Sequence, residues 1–426
     1  MALLTAIVPT AKGTALGASA WTVAVAGALA LATAMGIGRF AFTPLLPMML
    51  RDGVLDLPAA SWLASANYGG YLVGALLCTF QPWTWRWFNP NGAMAQLAGT
   101  QFVRAGLVGT CVLTLGMALH APGAWPALRF AAGVASAFVF IFTSGWCLAQ
   151  LARRHASSLG GVMYAGPGAG IALSGLLTSG MVALHWTAAV GWLILGVLAC
   201  GLTAVVWRTF QKPPPAAPAS SSSPGEPALA TALPVRAPQV LLLALAYGLA
   251  GFGYIVTATF LPVIARQALP GSHWLDMFWP LFGVGVMLGS LLSTRVSLRG
   301  DLRYLLAICY GLQACGVAVT VYSPTLAGFA GGSLLLGLPF TAITFFAMQE
   351  VRRVKPASVS STMGLLTAVY GLGQIAGPPL VAMLLKRSAS LADGFTLSLQ
   401  IAASALVLGA LMYLWLARTY PKTAPG

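Results

Sequence analysis

Apolar residues along this chain gather in long blocks, without the two-residue alternation of a half-buried strand. Crossing the hydrocarbon core of a bilayer, about 30 Å, takes about 20 such residues in a helix. Twelve blocks of that size stand between charges, prolines and polar or glycine clusters. The first six cover Trp21–Leu50, Ser61–Phe80, Leu97–Leu119, Pro126–Leu148, Gly160–Leu184 and Trp186–Trp207. The second six cover Gln239–Ala265, Met277–Thr294, Tyr304–Tyr322, Leu326–Met348, Ser361–Leu385 and Thr396–Trp415. Between the sets, Arg208 to Pro238 is rich in Pro, Ala and Ser and cannot bury a core. The pattern predicts an all-α integral membrane protein with 12 transmembrane helices in two pseudo-symmetric six-helix bundles, residues 1–208 and 239–426, joined by a linker over 209–238.

Composition agrees. Of 426 residues, 58% are hydrophobic and 7% charged, against about 25% charged in a soluble domain. So few charges could not cover a water-facing surface. The net charge of +15 would ordinarily suggest nucleic acid, but its placement explains it as topology. With the N-terminus inside, 15 of the 22 basic residues fall in inner segments. Arg51, Arg266, Lys386 and Arg387 fall in outer loops, and Arg39, Arg104 and Arg129 within spans. Basic residues favour the cytoplasmic ends of spans, so both termini are expected to be cytoplasmic in a cell (inner) membrane, with the bilayer as partner and no nucleic acid. No basic residue precedes the apolar stretch Ala2–Val8, so the start reads as a short cytoplasmic tail, not a cleaved signal. The six cysteines form no CxxC pair, and neither disulfide, metal nor cofactor is expected.

The two halves repeat each other. Gly36-Ile-Gly38-Arg39 with Leu46-Pro47 matches Gly251-Phe-Gly253-Tyr254 with Leu261-Pro262 at an offset of 215. Ala149-Gln150-Leu-Ala-Arg153-Arg154 matches Met348-Gln349-Glu-Val-Arg352-Arg353 at an offset of 199. Parallel repeats of this kind place two bundles about an axis along the membrane normal. Six plus six spans, a central linker and this repeat resemble the major facilitator superfamily. The run from Gly36 to Pro47, with Ala66-Asn67-Tyr68-Gly-Gly-Tyr71, resembles its YbfB/YjiJ-type branch of uncharacterised transporters over nearly the whole chain. Arg129 with Gly133 is similar to the superfamily's signature in helix 4, and Gly161 to Gly175 to the antiporter-type motif of exporters. One departure concerns the loop after helix 2, where the signature's acid falls on Cys78, and on Ser293 in the repeat. The usual acid–base latch is therefore not expected.

Small-xxx-small pairs let helices approach closely in lipid. They occur as Gly70/Gly74, Gly166/Gly170, Gly285/Gly289 and Gly373/Gly377, in the helices that line the contact between halves in the superfamily's fold, so sliding contacts between halves are expected there. Gly166, Pro167, Gly170, Gly373, Gly377 and Pro378 are candidate hinge or gating residues, because a proline bends a helix and frees backbone carbonyls.

An arginine at the centre of a span costs about 2.5–3.5 kcal/mol on insertion scales and marks a pathway or an internal pair. Arg39 lies 11 residues before Leu50, about 16 Å from the outer end at 1.5 Å per residue. It is the leading candidate for binding an anionic group, with Arg129 second. Asn67, Tyr71, Tyr164, Tyr254, Tyr370 and Gln374 are expected to line the cavity. All seven acids fall in loops or at span ends, so no deeply buried carboxylate is expected to carry protons. The expectation is a monomeric transporter, not an enzyme, moving a small solute such as an organic anion by alternating access. Export of amphipathic drug-like compounds is the alternative, and a membrane sensor or enzyme the remote one.

Overall fold

The computed structural model describes residues 19–88, 98–211, 237–272, 274–296, 300–354 and 359–421. All regular structure among them is helical. It forms twelve membrane-length segments. Helix α1 runs in three pieces, Ala20–Leu31, a π-helical stretch Ala32–Arg39, and Phe42–Arg51. Then come α2 (Leu57–Phe88), α3 (Ala98–Gly116), α4 (Trp125–Ala152), α5 (Gly160–Tyr164 and Gly166–Ala183) and α6 (Ala188–Val206). The second bundle holds α7 (Ala237–Ala268), α8 (Phe278–Ser293), α9 (Leu302–Tyr322), α10 (Leu326–Gly337 and Phe340–Val354), α11 (Val359–Arg387) and α12 (Leu391–Thr419). Nine of these are individually long and apolar enough to cross a bilayer; the others are α2, α3 and α5. Most of the expected linker lies outside the described residues.

Lipid offers helices no hydrophobic reason to associate, so close backbone approach has to do that work. The glycine pairs do so inside each bundle, which corrects the expectation that they form the seam between halves. A Cβ on Gly70 or Gly74 would overlap the α4 backbone at Phe130 and Val134, and one on Gly166 or Gly170 the α1 backbone at Ala28 and Ala32. In the second bundle Gly285 and Gly289 meet α10 at Leu334 and Leu338. Gly373 meets α7 at Gly248, and Gly377 meets the Ile255 side chain. The seam uses other glycines: Gly168 faces Gly283 and Met287 between α5 and α8, and Gly371 faces Leu72 between α11 and α2.

Prolines shape the rest. Pro167 interrupts α5 at Ala165, and the Tyr164 carbonyl accepts the Ser290 hydroxyl of α8 at 2.9 Å. Pro262 and Pro379 deny a helical N–H to the carbonyls four residues earlier, Ala258 and Ile375. Both carbonyls instead take hydroxyls from the opposite bundle, Thr43 at 3.1 Å and Ser65 at 3.0 Å.

On the face that holds Ala20, Ala152 and Val354, the second bundle is closed by charge. Glu350, fully buried in the last turns of α10, lies 3.6 Å from Arg303 and is ion-paired with Arg353. Arg303 also binds Asp301 at 2.6 Å and the Leu416 carbonyl at 2.8 Å. An acid–base latch therefore exists in the second half, with its acids at Asp301 and Glu350 and not at the Ser293 position. Glu350 is at a span end, as expected, yet buried. Partial burial pushes the Asp301 carboxyl up, but hydrogen bonds from Arg303 and the charges of Arg303 and Arg353 outweigh it and hold it below its usual value.

Two predictions follow from the packing. Gly70→Ala puts a methyl into the α4 backbone; overpacking of about 1–3 kcal/mol, at about 2–4 °C per kcal/mol, lowers the Tm of the purified protein by about 5 °C. Gly371→Ala, which meets only the movable Leu72 side chain, shifts it far less. Asp301, with its pKa depressed by folding, contributes stability that is complete above the unfolded value of about 3.9 and lost as pH falls through the lower folded value. Asp301→Asn removes that part of the acid-side slope in a Tm-against-pH series.

Candidate functional site

The centre of the molecule is built around Arg39. Its position follows from local sequence. Pro44 has no N–H to offer the Arg39 carbonyl five residues back, and the Thr43 N–H four residues on goes to the Phe40 carbonyl at 3.2 Å. Upstream the chain takes π-helical turns, with the Phe40 N–H reaching the Met35 carbonyl at 3.1 Å. Such stretches are rare and concentrate at functional sites. The Arg39 side chain then turns inward, 3% exposed, with its guanidinium carbon 3.9 Å from the Tyr71 ring centroid, 5.3 Å from Phe40 and 5.4 Å from Tyr68.

From there the site crosses to the other bundle. Arg39 Nη2 donates to Gln374 Oε1 at 2.7 Å, and Gln374 Nε2 donates to the Tyr254 hydroxyl. Tyr254 stacks with Tyr370 at 6.0 Å and Tyr370 with Tyr247 at 4.6 Å. Phe340 stands edge-on to Tyr254 at 4.9 Å and meets Phe40 at 6.2 Å, and Phe40 lies 6.2 Å from Trp279. Arg39 Nε is buried without a hydrogen-bond partner. Among the described residues no carboxylate forms an ion pair with Arg39 or Arg129.

Of the eight candidates from sequence, five meet here: Arg39, Tyr71, Tyr254, Tyr370 and Gln374. Three do not. Arg129 turns to the far side of α1, donating to the Gly38 carbonyl at 3.1 Å and the Arg39 carbonyl at 2.9 Å between the rings of Phe42 and Trp192. Asn67 donates to the Arg129 carbonyl at 2.8 Å, on the α2 face that also presents Gly70 and Gly74 to α4. Tyr164 packs on Phe140 at 6.2 Å. Conversely, Tyr68, Phe40, Phe340, Trp279 and Tyr247 belong to the site and went unpredicted. Tyr68 had a signal, since Ser65, Tyr68 and Tyr71 recur every three residues and share a helical face.

At this level and towards the Arg51 face, hydroxyls tie the bundles. Tyr68 meets Thr259 at 2.9 Å, joining the Thr43–Ala258 and Ser65–Ile375 bonds. Half-buried Tyr71 and Tyr370 lie on the Ala20 side of that level.

A twelve-helix pair of bundles around a buried cation and an aromatic wall defines a membrane carrier of the major facilitator type. Residues 31–414 match the family described as an uncharacterised MFS-type transporter, YbfB, and the chain belongs to that family. A chloramphenicol resistance protein of Streptomyces lividans is 29% identical over 362 residues, 82% of this chain and 86% of that one. The crystal structure of the nucleoside transporter NupG, 14% identical, matches with a TM-score of 0.68 over 92% of this chain and 99% of that one. That of a D-xylose-proton symporter, also 14% identical, matches at 0.65 over 92% and 95%. At such identity the two structures share the fold alone. The protein is thus a multi-pass membrane transporter.

The hydroxyl ties generate a prediction. Thr43→Val, Ser65→Ala and Tyr68→Phe each remove one cross-bundle bond, worth about 0.6 kcal/mol within a membrane. Combined, they shift the balance between closed and open Arg51 faces about 20-fold. Electron–electron distance measurements between spin labels at Val54 and Leu269 should show a new, longer population; an unchanged distribution would show that the ties do not hold this face.

Proposed function

We propose that this protein carries a small organic anion across the cell (inner) membrane by alternating access, with Arg39 as the anion-binding group. The observation that carries the reading is a buried guanidinium with no carboxylate partner among the described residues and an unused Nε–H. A buried charge left uncompensated is costly, and an entering carboxylate would supply the compensation. It would do so at a price to the existing contact, because the same guanidinium holds Gln374 across the seam. Binding would thus compete with one tie between bundles, which couples occupancy to their separation. The rings of Tyr71, Phe40, Tyr254 and Phe340 favour an aromatic or otherwise apolar body on the anion.

The excess of Lys and Arg near the Ala20 face supports cytoplasmic termini, so the closed Arg51 face is the outer one. Residues 1–208 and 239–426 would rock as units joined by 209–238. Gly166, Pro167 and Gly170 in α5 and Gly373, Gly377 and Pro378 in α11 would serve as gating residues, where α5 packs on α1 and α11 on α7. The Arg39 site draws its residues from both bundles of one chain, which favours a monomer.

A second reading, export of a drug-like compound, is favoured by the likeness to the chloramphenicol resistance protein. Transport of benzoate and of chloramphenicol in proteoliposomes separates the two. Arg39→Ala should lower kcat/KM for benzoate at least about tenfold, the loss of one charge-assisted contact, while Arg39→Lys retains part of it. Unchanged benzoate transport in Arg39→Ala would sink the anion reading; chloramphenicol transport indifferent to Arg39 would favour the export reading.

A further inference from the structure

We infer that Arg129 is a positioning residue, which sets the solute affinity of Arg39 by holding the π-helical register of α1, without touching the solute itself. The inference rests on the reading of Arg39 as the solute-binding group. Its ground is the pair of carbonyls that Arg129 binds, Gly38 and Arg39, at the end of the stretch Ala32–Arg39. The Arg39 carbonyl has no helical donor, since Pro44 lacks an N–H and the Thr43 N–H is spent on Phe40. In a bilayer an unpaired carbonyl costs several kcal/mol, so this backbone geometry needs an outside donor. Arg129, 2% exposed and reaching from α4, supplies two N–H groups from one rigid guanidinium.

The consequence falls on the side chain. Changing a π turn to an α turn moves the register by one residue, about 100° of rotation at 3.6 residues per turn. Such a change would carry Arg39 away from Tyr71 and Gln374. In the present winding Gly36 packs against the Gly170 backbone and Gly38 against the Thr110 side chain, too closely for a Cβ at either position, and Arg129 selects this winding, in which Arg39 faces the seam.

The test measures Arg39 placement directly, without a solute. In the parent, Arg39→Ala and Gln374→Ala share one hydrogen bond, so their losses in Tm fall short of additive by about 2 °C or more. In an Arg129→Met background the two losses become additive, and in Arg129→Lys, which still donates to carbonyls, the shortfall returns. Pro44→Ala leaves Arg129 in place but offers an N–H to the Phe40 carbonyl four residues back, which frees the Thr43 N–H for the Arg39 carbonyl in the α-helical pattern, so it should also abolish the shortfall. It serves as the second route if Arg129→Met folds poorly. Benzoate transport adds a functional arm: Arg129→Met and Pro44→Ala raise KM about tenfold with maximal rate within about threefold of the parent. A shortfall that persists in both Arg129→Met and Pro44→Ala overturns the proposal. If instead the shortfall vanishes while neither Arg39→Ala nor Arg129→Met affects benzoate, positioning stands and the anion reading falls alone.

Discussion

Within a bilayer, every backbone carbonyl must find a donor inside the protein, and the prolines of this chain turn that constraint into architecture. Each proline withholds one N–H from its helix. The Ala258 and Ile375 carbonyls freed in this way are bound by Thr43 and Ser65 of the opposite bundle. The Tyr164 carbonyl at the break in α5 is bound by Ser290, and that of Arg39, ahead of Pro44, by Arg129. Three of the four bonds join the bundles and the fourth fixes the winding of α1. Each of the three between bundles is a single neutral hydrogen bond, and such a bond can be exchanged as a carrier changes state.

Arg39 sits beside those bonds, against Tyr68, which also binds Thr259 of the opposite bundle. Burial strips water from its guanidinium, and three ring faces, one glutamine oxygen and no acid replace it. Aromatic faces repay only part of the hydration lost, about 2 kcal/mol or more when desolvated. The site is thus held short of the full compensation that an internal carboxylate would have supplied. Gln374 is well suited to this balance. Its amide accepts from Arg39 and donates to Tyr254, so it links the bundles without neutralising the charge.

Much of the fold was legible in sequence because apolar block length is nearly a direct readout of bilayer thickness, and the offset of 215 paired Arg39 with Tyr254 before any contact was known. The site was legible where a residue type is costly in lipid, as with Arg39 and Gln374. It was not legible where orientation decides. Asn67 and Tyr71 are one turn apart, yet four steps of about 100° leave them about 40° apart round the helix, enough to give Asn67 to the glycine face against α4 and Tyr71 to the seam. The glycine pairs were misplaced for the same reason: spacing says that a helix can approach another closely, and only the fold says which one. Arg129 failed differently. Its depth marked it as unusual, but the partners that explain it are backbone carbonyls, exposed by a proline 85 residues earlier in the chain.

The repeat has also diverged in a way that divides labour between the bundles. At an offset of 199 Arg104 corresponds to Arg303. Arg303 is clamped by Asp301, Glu350 and the Leu416 carbonyl, whereas Arg104 rests over the Trp207 ring at 3.8 Å. A clamped cation resists reorientation because breaking one partner leaves buried charge behind. A cation on an aromatic face loses far less when it shifts. The level of Arg39 repeats the pattern, with a cation that has no acid partner among the described residues in the first bundle and neutral Tyr254 at its repeat position in the second. The second bundle therefore has the character of a stiff frame presenting an aromatic, hydrogen-bonding wall. The first carries the uncompensated charge and the unusual winding of α1.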